Sequence, residues 1–294
     1  MIEQGEIVKY LVWAVLVVAV FSCDHRGARP VGDSENLATA KGLIDYVSKA
    51  PMTRRLSEIP LRWHAKGADA IRSYFDPSNI DRAKESVINA VANLNLTQGL
   101  GFYHAGNVGG AFANTFESRR EFEVNGIKGK FVELFFQAEK VSRFGKMEYR
   151  GDFKKAYDAL QAAKASASWG AFVRKVRDDF TDAGFNGAGW DAISLDVMSK
   201  IQAARFKAEP DLFLTLVATP ARSVIVEDAQ ATDANWGNGG DGHGKNMLGL
   251  LYMTHRQRFW YAFKKAKAKN FDATSAEDVA FMLKWLASYD GTTH

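Results

Sequence analysis

Eleven residues, FVELFFQAEKV from Phe131 to Val141, constrain the fold of this chain more than any other stretch. Glu133, Gln137 and Lys140 fall at i, i+4 and i+7 and therefore share one face of a helix. Phe131, Leu134, Phe135, Phe136, Ala138 and Val141 occupy the rest of its circumference. A helix apolar on most sides has to be covered on most sides. Its polar stripe must then be paired or face a cavity, because a buried charge without a partner is costly. The competing reading, a surface helix with a solvated polar face, leaves three phenylalanines unexplained. A carboxylate and an ammonium facing one cleft suit chemistry on an anionic sugar.

The chain can supply such a cover. Its 294 residues hold one good-sized domain and an appendage, with 47% hydrophobic and 24% charged residues, the balance of a globular protein. The net charge of +4 permits an anionic ligand without by itself arguing for nucleic acid. Cys23 is the only cysteine, so no internal disulfide forms. The histidines at 25, 64, 104, 243, 255 and 294 show no metal-ligand spacing, and neither a metal nor a cofactor is expected.

Residues 1–23 form a hydrophobic segment, with a nearly unbroken apolar run from Ile7 to Phe21. Three readings compete: a single membrane anchor, a lipoprotein signal ending at Cys23, or a buried helix. Arg26 and Arg29 follow closely, so an anchor would leave the bulk of the chain in the cytoplasm. Residues 24–36 read as a polar linker. Residues 37–98 show helical spacing and no chemistry, as expected of a helical appendage.

The main domain is expected from 99 to 294. Strand-like texture begins near Gly99, and Asn125-Gly126 marks the tip of a hairpin because both residue types tolerate positive φ. Leu195–Phe206 carries a helical apolar stripe, Arg222–Asp228 is a short β-branched strand, and Lys245–Lys269 and Ala276–Ser288 read as closing helices. The fold class is α+β: a predominantly helical domain around a small antiparallel sheet.

A second cluster lies between Glu227 and Asn246. Five of the eight residues from Gly237 to Gly244 are glycine, and a helix follows. Such a loop offers backbone N–H groups and a positive helix end to a phosphate. It matches neither a P-loop nor a calcium loop. Trp236 suits stacking on a flat ring, Asp233 a ribose hydroxyl or acid–base work, and Asn246 a helix cap or a phosphate oxygen. A third cluster is basic: His255, Arg256, Arg258, Lys264, Lys265, Lys267 and Lys269. Arg256 is placed to reach a phosphate, and the later lysines read as a solvated helix face, with contact to a nucleic-acid backbone the minor alternative.

Four stretches in order resemble the NADAR family of YbiA-like N-glycosidases. They are Ala113-Asn114-Thr115-Phe116; Val132-Glu133 with Phe136-Gln137-Ala138-Glu139-Lys140; Met198 to Thr219 with Arg205-Phe206 and Pro210; and Glu227-Asp228, Asp233, Trp236-Gly237, Gly239, Gly244, Asn246, Leu248-Gly249, Met253 and Arg256. The resemblance spans Leu100–Trp260. It implies hydrolysis of the N-glycosidic bond of a phosphorylated ribosyl compound, either an ADP-ribosyl adduct on nucleic acid or a riboflavin-pathway ribosylaminopyrimidine phosphate. It also implies Glu133 as the catalytic acid residue, with Asp233 beside it. Asn114, Phe116, Gln137, Lys140, Trp236, Gly237, Gly239, Asn246 and Arg256 would bind ligand. Three departures bear on substrate choice: Gly129 and Leu134 stand where the family often has an aromatic and a histidine, Gly170-Ala171 replaces a Gly-Arg pair with either Arg174 or no residue taking over its guanidinium, and Ser142–Ser168 is a longer insert. The rival readings are a non-catalytic module binding ADP-ribose or NAD, and a membrane-associated interaction protein working through its front half.

Overall fold

The computed structural model describes residues 95–102, 110–182, 184–219, 223–227, 233–239 and 244–291. The hydrophobic segment 1–23, the linker and the appendage up to residue 94 lie outside them. No helix among the described residues is long and apolar enough to cross a membrane.

Strand β1 (Asn95–Phe102) is followed by a 3-10 turn (Gly110–Phe112) and a hairpin of β2 (Phe122–Val124) and β3 (Ile127–Gly129). Helix α1 (Val132–Phe144) comes next, then α2 (Phe153–Ala165), α3 (Trp169–Lys175), a π turn (Val176–Phe180), α4 (Gly187–Ala208) and α5 (Pro210–Val217). Strand β4 (Ser223–Glu227), α6 (Met247–Lys267) and α7 (Ala276–Ser288) complete the order. The domain is mostly helical, as expected. The hairpin supplies the antiparallel sheet, with Asn125 and Gly126 at φ 51° and 78° at its tip. A second pairing went unread: β1 and β4 run parallel, with Leu100 beside Ile225 and Phe102 beside Glu227. A parallel pair needs a long crossover, and here the helices α1 to α5 provide it. Because β1 starts at Asn95, the last residues assigned to the appendage belong to the domain's own sheet.

Helix α1 is central to the described domain. Val132, Phe135, Ala138 and Val141 are fully buried, and the helix packs on α2 and α4. Phe135 stacks on Tyr157 at 4.9 Å and touches Phe122 at 5.0 Å. Tyr157 also explains Gly129: a Cβ there would sit 2.1 Å from the tyrosine Oη. The longer insert Ser142–Ser168 forms α2 and delivers this ring, filling the space that a side chain at 129 would need. Strand β4 is buried through Val224, Ile225 and Val226, as parallel strands covered on both faces are. Helix α6 lies directly on it, since a Cβ at Gly249 would come within 2.0 Å of the Ile225 carbonyl oxygen.

Candidate active site

Glu133 sits in the first turn of α1, and its backbone N–H donates to the Asn114 carbonyl at 3.0 Å. The loop carrying Asn114 is anchored from below by Arg205, which donates from Nη2 to the Ala111 carbonyl at 2.7 Å and from Nε to Glu209 at 3.1 Å. Gln137, one turn along α1, donates from Nε2 to Glu133 Oε1 at 2.7 Å. The Asn114 side chain lies beside the same carboxyl and helps to lower its pKa. Protein crowds the carboxyl while an edge of the residue stays open to solvent, the geometry of a cleft floor rather than of a core position.

This carboxyl is pulled two ways. Burial raises its pKa, and the charge of Asp233 adds to the rise; Gln137, Lys140 and Asn114 oppose it, and the net shift is upward. Lys140, on the same stripe, lies over the Phe185 ring at 5.8 Å, and its own pKa is lowered by burial against the pull of Glu133. The polar stripe on α1 is therefore paired within itself and lies beside Asp233, with its edge at the cleft opening.

Phe136 joins α1 to the tryptophan turn. Its ring meets Trp236 edge to face at 5.2 Å. The turn, residues 233–239, is shaped by Asp233, whose Oδ1 accepts the backbone N–H of Asn235 at 3.0 Å and of Trp236 at 2.8 Å. Trp236 is half-buried, leaving part of the ring accessible. Asn114, Glu133, Gln137, Lys140, Asp233 and Trp236 thus gather at one place. Phe116 lies near them, half-buried, with the Arg205 guanidinium over its ring at 5.7 Å.

Three other expectations are corrected. Among its described residues, the glycine loop does not present open N–H groups. Gly239 donates to Asp233 O, Gly244 to Asn238 O and Lys245 to Ala234 O. At the start of α6, Asn246, Met247 and Leu248 donate to the carbonyls of Gly237, Asn235 and Trp236. The turn folds back and caps the helix, so these donors, Gly239 included, are spent internally, while Gly237 is buried and offers its carbonyl to that cap. Asn246, at φ 52°, spends both ends of its amide on β4: Oδ1 accepts from Glu227 N–H at 2.9 Å and Nδ2 donates to Ile225 O at 2.8 Å. It fixes the strand rather than capping the helix or meeting a phosphate. Arg256 is fully buried, donating to Thr219 Oγ1 at 2.6 Å beneath the Trp260 ring, and burial lowers its pKa. A guanidinium walled in this way supports the α5–α6 packing.

The basic cluster also divides. His255 is fully buried between Tyr289 Oη at 2.6 Å and Gln202 Oε1 at 3.0 Å, and burial pushes its pKa down to about 3. Lys264, Lys265 and Lys269 are exposed, and Lys267 pairs with Glu277, the solvated face expected. Arg174, the proposed substitute guanidinium, is exposed on α3.

Glu227 was missed as a site residue. It ends β4, and burial together with Asp233 and Glu133 pushes its carboxyl well above the usual range. The signal was present in the sequence: an acidic residue closing a buried β-branched strand. Strand ends of this kind carry functional groups in parallel sheets. Among the described residues, no group of three His, Cys, Asp or Glu side chains is arranged to hold a metal ion.

Comparison with known proteins bears on the same region. A sequence model of the NADAR domain matches residues 102–260. N-glycosidase YbiA of Shigella flexneri is 30% identical over 159 residues, covering 54% of this chain and 87% of that protein. The chloroplastic riboflavin biosynthesis protein PYRR of Zea mays is 30% identical over 229 residues, 72% of this chain and 34% of that protein. An NMR structure of Escherichia coli YbiA aligns at TM-score 0.42 with 30% identity, covering 57% of this chain and 87% of that one.

Proposed function

Because the chain belongs to the NADAR domain family, we propose that it is an N-glycosidase that hydrolyses the C1′–N bond of a phosphorylated ribosyl compound. The substrate classes in view are a ribosylaminopyrimidine phosphate and an ADP-ribosyl adduct on nucleic acid. One observation carries the reading: the Glu133 carboxyl, held by Gln137 and with Asn114 beside it, faces the Asp233–Trp236 turn.

Cleaving this bond builds positive charge on the sugar, so a carboxylate beside C1′ and an oriented water are the essential parts. Glu133 supplies the carboxylate and takes a proton from water. Asn114 and Gln137 are 8% and 4% exposed, and their Oδ1 and Oε1 atoms find no hydrogen-bond partner among the described residues. Buried acceptors left bare are costly, and ribose hydroxyls offer the donors they lack. Asp233 serves the same hydroxyls through its second oxygen. Trp236 stacks on the flat ring of the substrate, and Lys140 holds phosphate at the rim.

The test is base release from ribosylaminopyrimidine phosphates and from ADP-ribosylated DNA, with wild-type protein and Glu133→Gln. Wild type releases the base from at least one class. The variant still binds it but turns over roughly 10²–10⁴-fold more slowly, the range for a lost acid–base group. Near-normal turnover by Glu133→Gln would remove this residue from the chemistry.

A further inference from the structure

Hydrolysis needs a second proton transfer that Glu133 cannot make in the same step. A nitrogen leaving C1′ as an anion is a poor leaving group, so a proton has to reach it as the bond breaks. We propose that Glu227 is the proton donor: the carboxylic acid that protonates the departing base nitrogen. This rests on the hydrolase reading above.

The geometry singles out Glu227 in three ways. Its backbone is clamped on both sides, N–H to Asn246 Oδ1 at 2.9 Å and carbonyl from Asn238 N–H at 2.9 Å, which fixes where the side chain starts. Its Oε2 is buried and has no hydrogen-bond partner among the described residues. A carboxylate with a bare buried oxygen is costly, whereas a neutral acid carries an O–H ready to donate. The groups acting on it are also of one sign: Asp233 from the turn and Glu133 from α1, with the neutral phenol of Tyr252 from α6 nearby.

Glu133 shares the burial and the Asp233 charge, but unlike Glu227 it also has a Gln137 N–H and the Lys140 ammonium beside it, both of which favour its ionised form. Two carboxyl groups whose surroundings separate their pKa values divide into a base and an acid. Asp233 is a weaker candidate for the donor because its Oδ1 accepts two backbone N–H groups.

In the step itself, a water oxygen bonds to C1′ and its proton passes to the Glu133 carboxylate. The C1′–N electron pair goes to nitrogen, which takes the Glu227 proton. The products are the ribosyl alcohol and the free base. The proton on Glu133 returns to Glu227 through solvent before the next turnover. Activity thus requires Glu133 ionised and Glu227 protonated, and the basic limb of the pH profile belongs to Glu227.

The test compares two ribosyl 5′-phosphates on the full chain. One has an amine nitrogen that must be protonated to leave; the other is a pyridinium riboside phosphate, whose base departs neutral with no proton. Glu227→Gln is expected to lose about 10²–10³-fold on the first and less than about tenfold on the second, and to lose the basic limb. Glu133→Gln slows both. The ratio of the two substrates is independent of how much variant is folded. Equal loss on both substrates, or retention on both, overturns the assignment. Difference infrared titration gives a readout that needs no substrate. A carboxylic-acid carbonyl band at neutral pH that disappears in Glu227→Gln supports the donor, and its absence in wild type overturns it. Failure of wild type to cleave any ribosyl phosphate, with that band present, would instead sink the hydrolase reading.

Discussion

At the scale of single residues, what a side chain does here is decided by what surrounds it. Glu133, Gln137 and Lys140 were legible because i, i+4, i+7 spacing on an apolar helix is local information. Asn246 and Arg256 were not, because the partners that use them, β4 and Thr219, come from elsewhere in the chain. The buried acid Glu227 also makes a stability prediction. Its folded pKa lies well above the unfolded value, so the folded state keeps a proton that the unfolded state has released. Stability then falls as pH rises from the ordinary carboxylate range, by about 1.4 kcal/mol per unit until the folded value is passed. Glu227→Gln removes that loss, so in urea melts it is more stable than wild type at pH 7 and no better at pH 4. His255 runs the other way. Its folded pKa of about 3 lies below the ordinary 6.5, so stability is full above the unfolded value and is lost as pH falls toward 3. Its imidazole NMR signals should show no titration between pH 5 and 8; a midpoint near 6.5 would mean the ring is hydrated.

At the scale of elements, local patterns were read where the chain punctuates itself. The hairpin followed from Asn125-Gly126, and α7 occupies Ala276–Ser288 with Ser275 accepting from the Asp278 N–H as its cap. Helices α2, α3 and α5 were not read as elements, the first because the insert that holds it matched no expected pattern. The β1–β4 pairing was not legible either, because no local signal links residues 99–102 with 224–227. The contact between α6 and β4 positions Glu227 and the tryptophan turn together, and two substitutions probe it. Gly249→Ala forces a methyl onto the Ile225 carbonyl oxygen, and overpacking of this kind costs about 1–3 kcal/mol. Asn246→Gly keeps the left-handed backbone but removes both bonds to β4, a loss of about 1–3 kcal/mol. Thermal melts check both, and an unchanged Tm in either would mean that the helix does not bear on the strand.

At the scale of the whole molecule, the aromatic richness is put to work in packing. Rings from α1, α2, α4 and the tryptophan turn meet around Phe135 and Phe136, so the acid stripe of α1 is held against the turn by a rigid core. The sheet starts at Asn95, which sets where the chain can be shortened. A form beginning near residue 90 should keep hydrolysis, while one beginning at 104 should lose the fold with β1, as circular dichroism and base release would record. The most direct measurement is a crystal structure with a non-hydrolysable ribosyl phosphate bound. The anomeric carbon is expected about 3–3.5 Å from the Glu133 carboxyl or the water it holds, with the ligand's ring on Trp236. A ligand seated elsewhere, with Glu133 and its partners unchanged and untouched, would contradict the account.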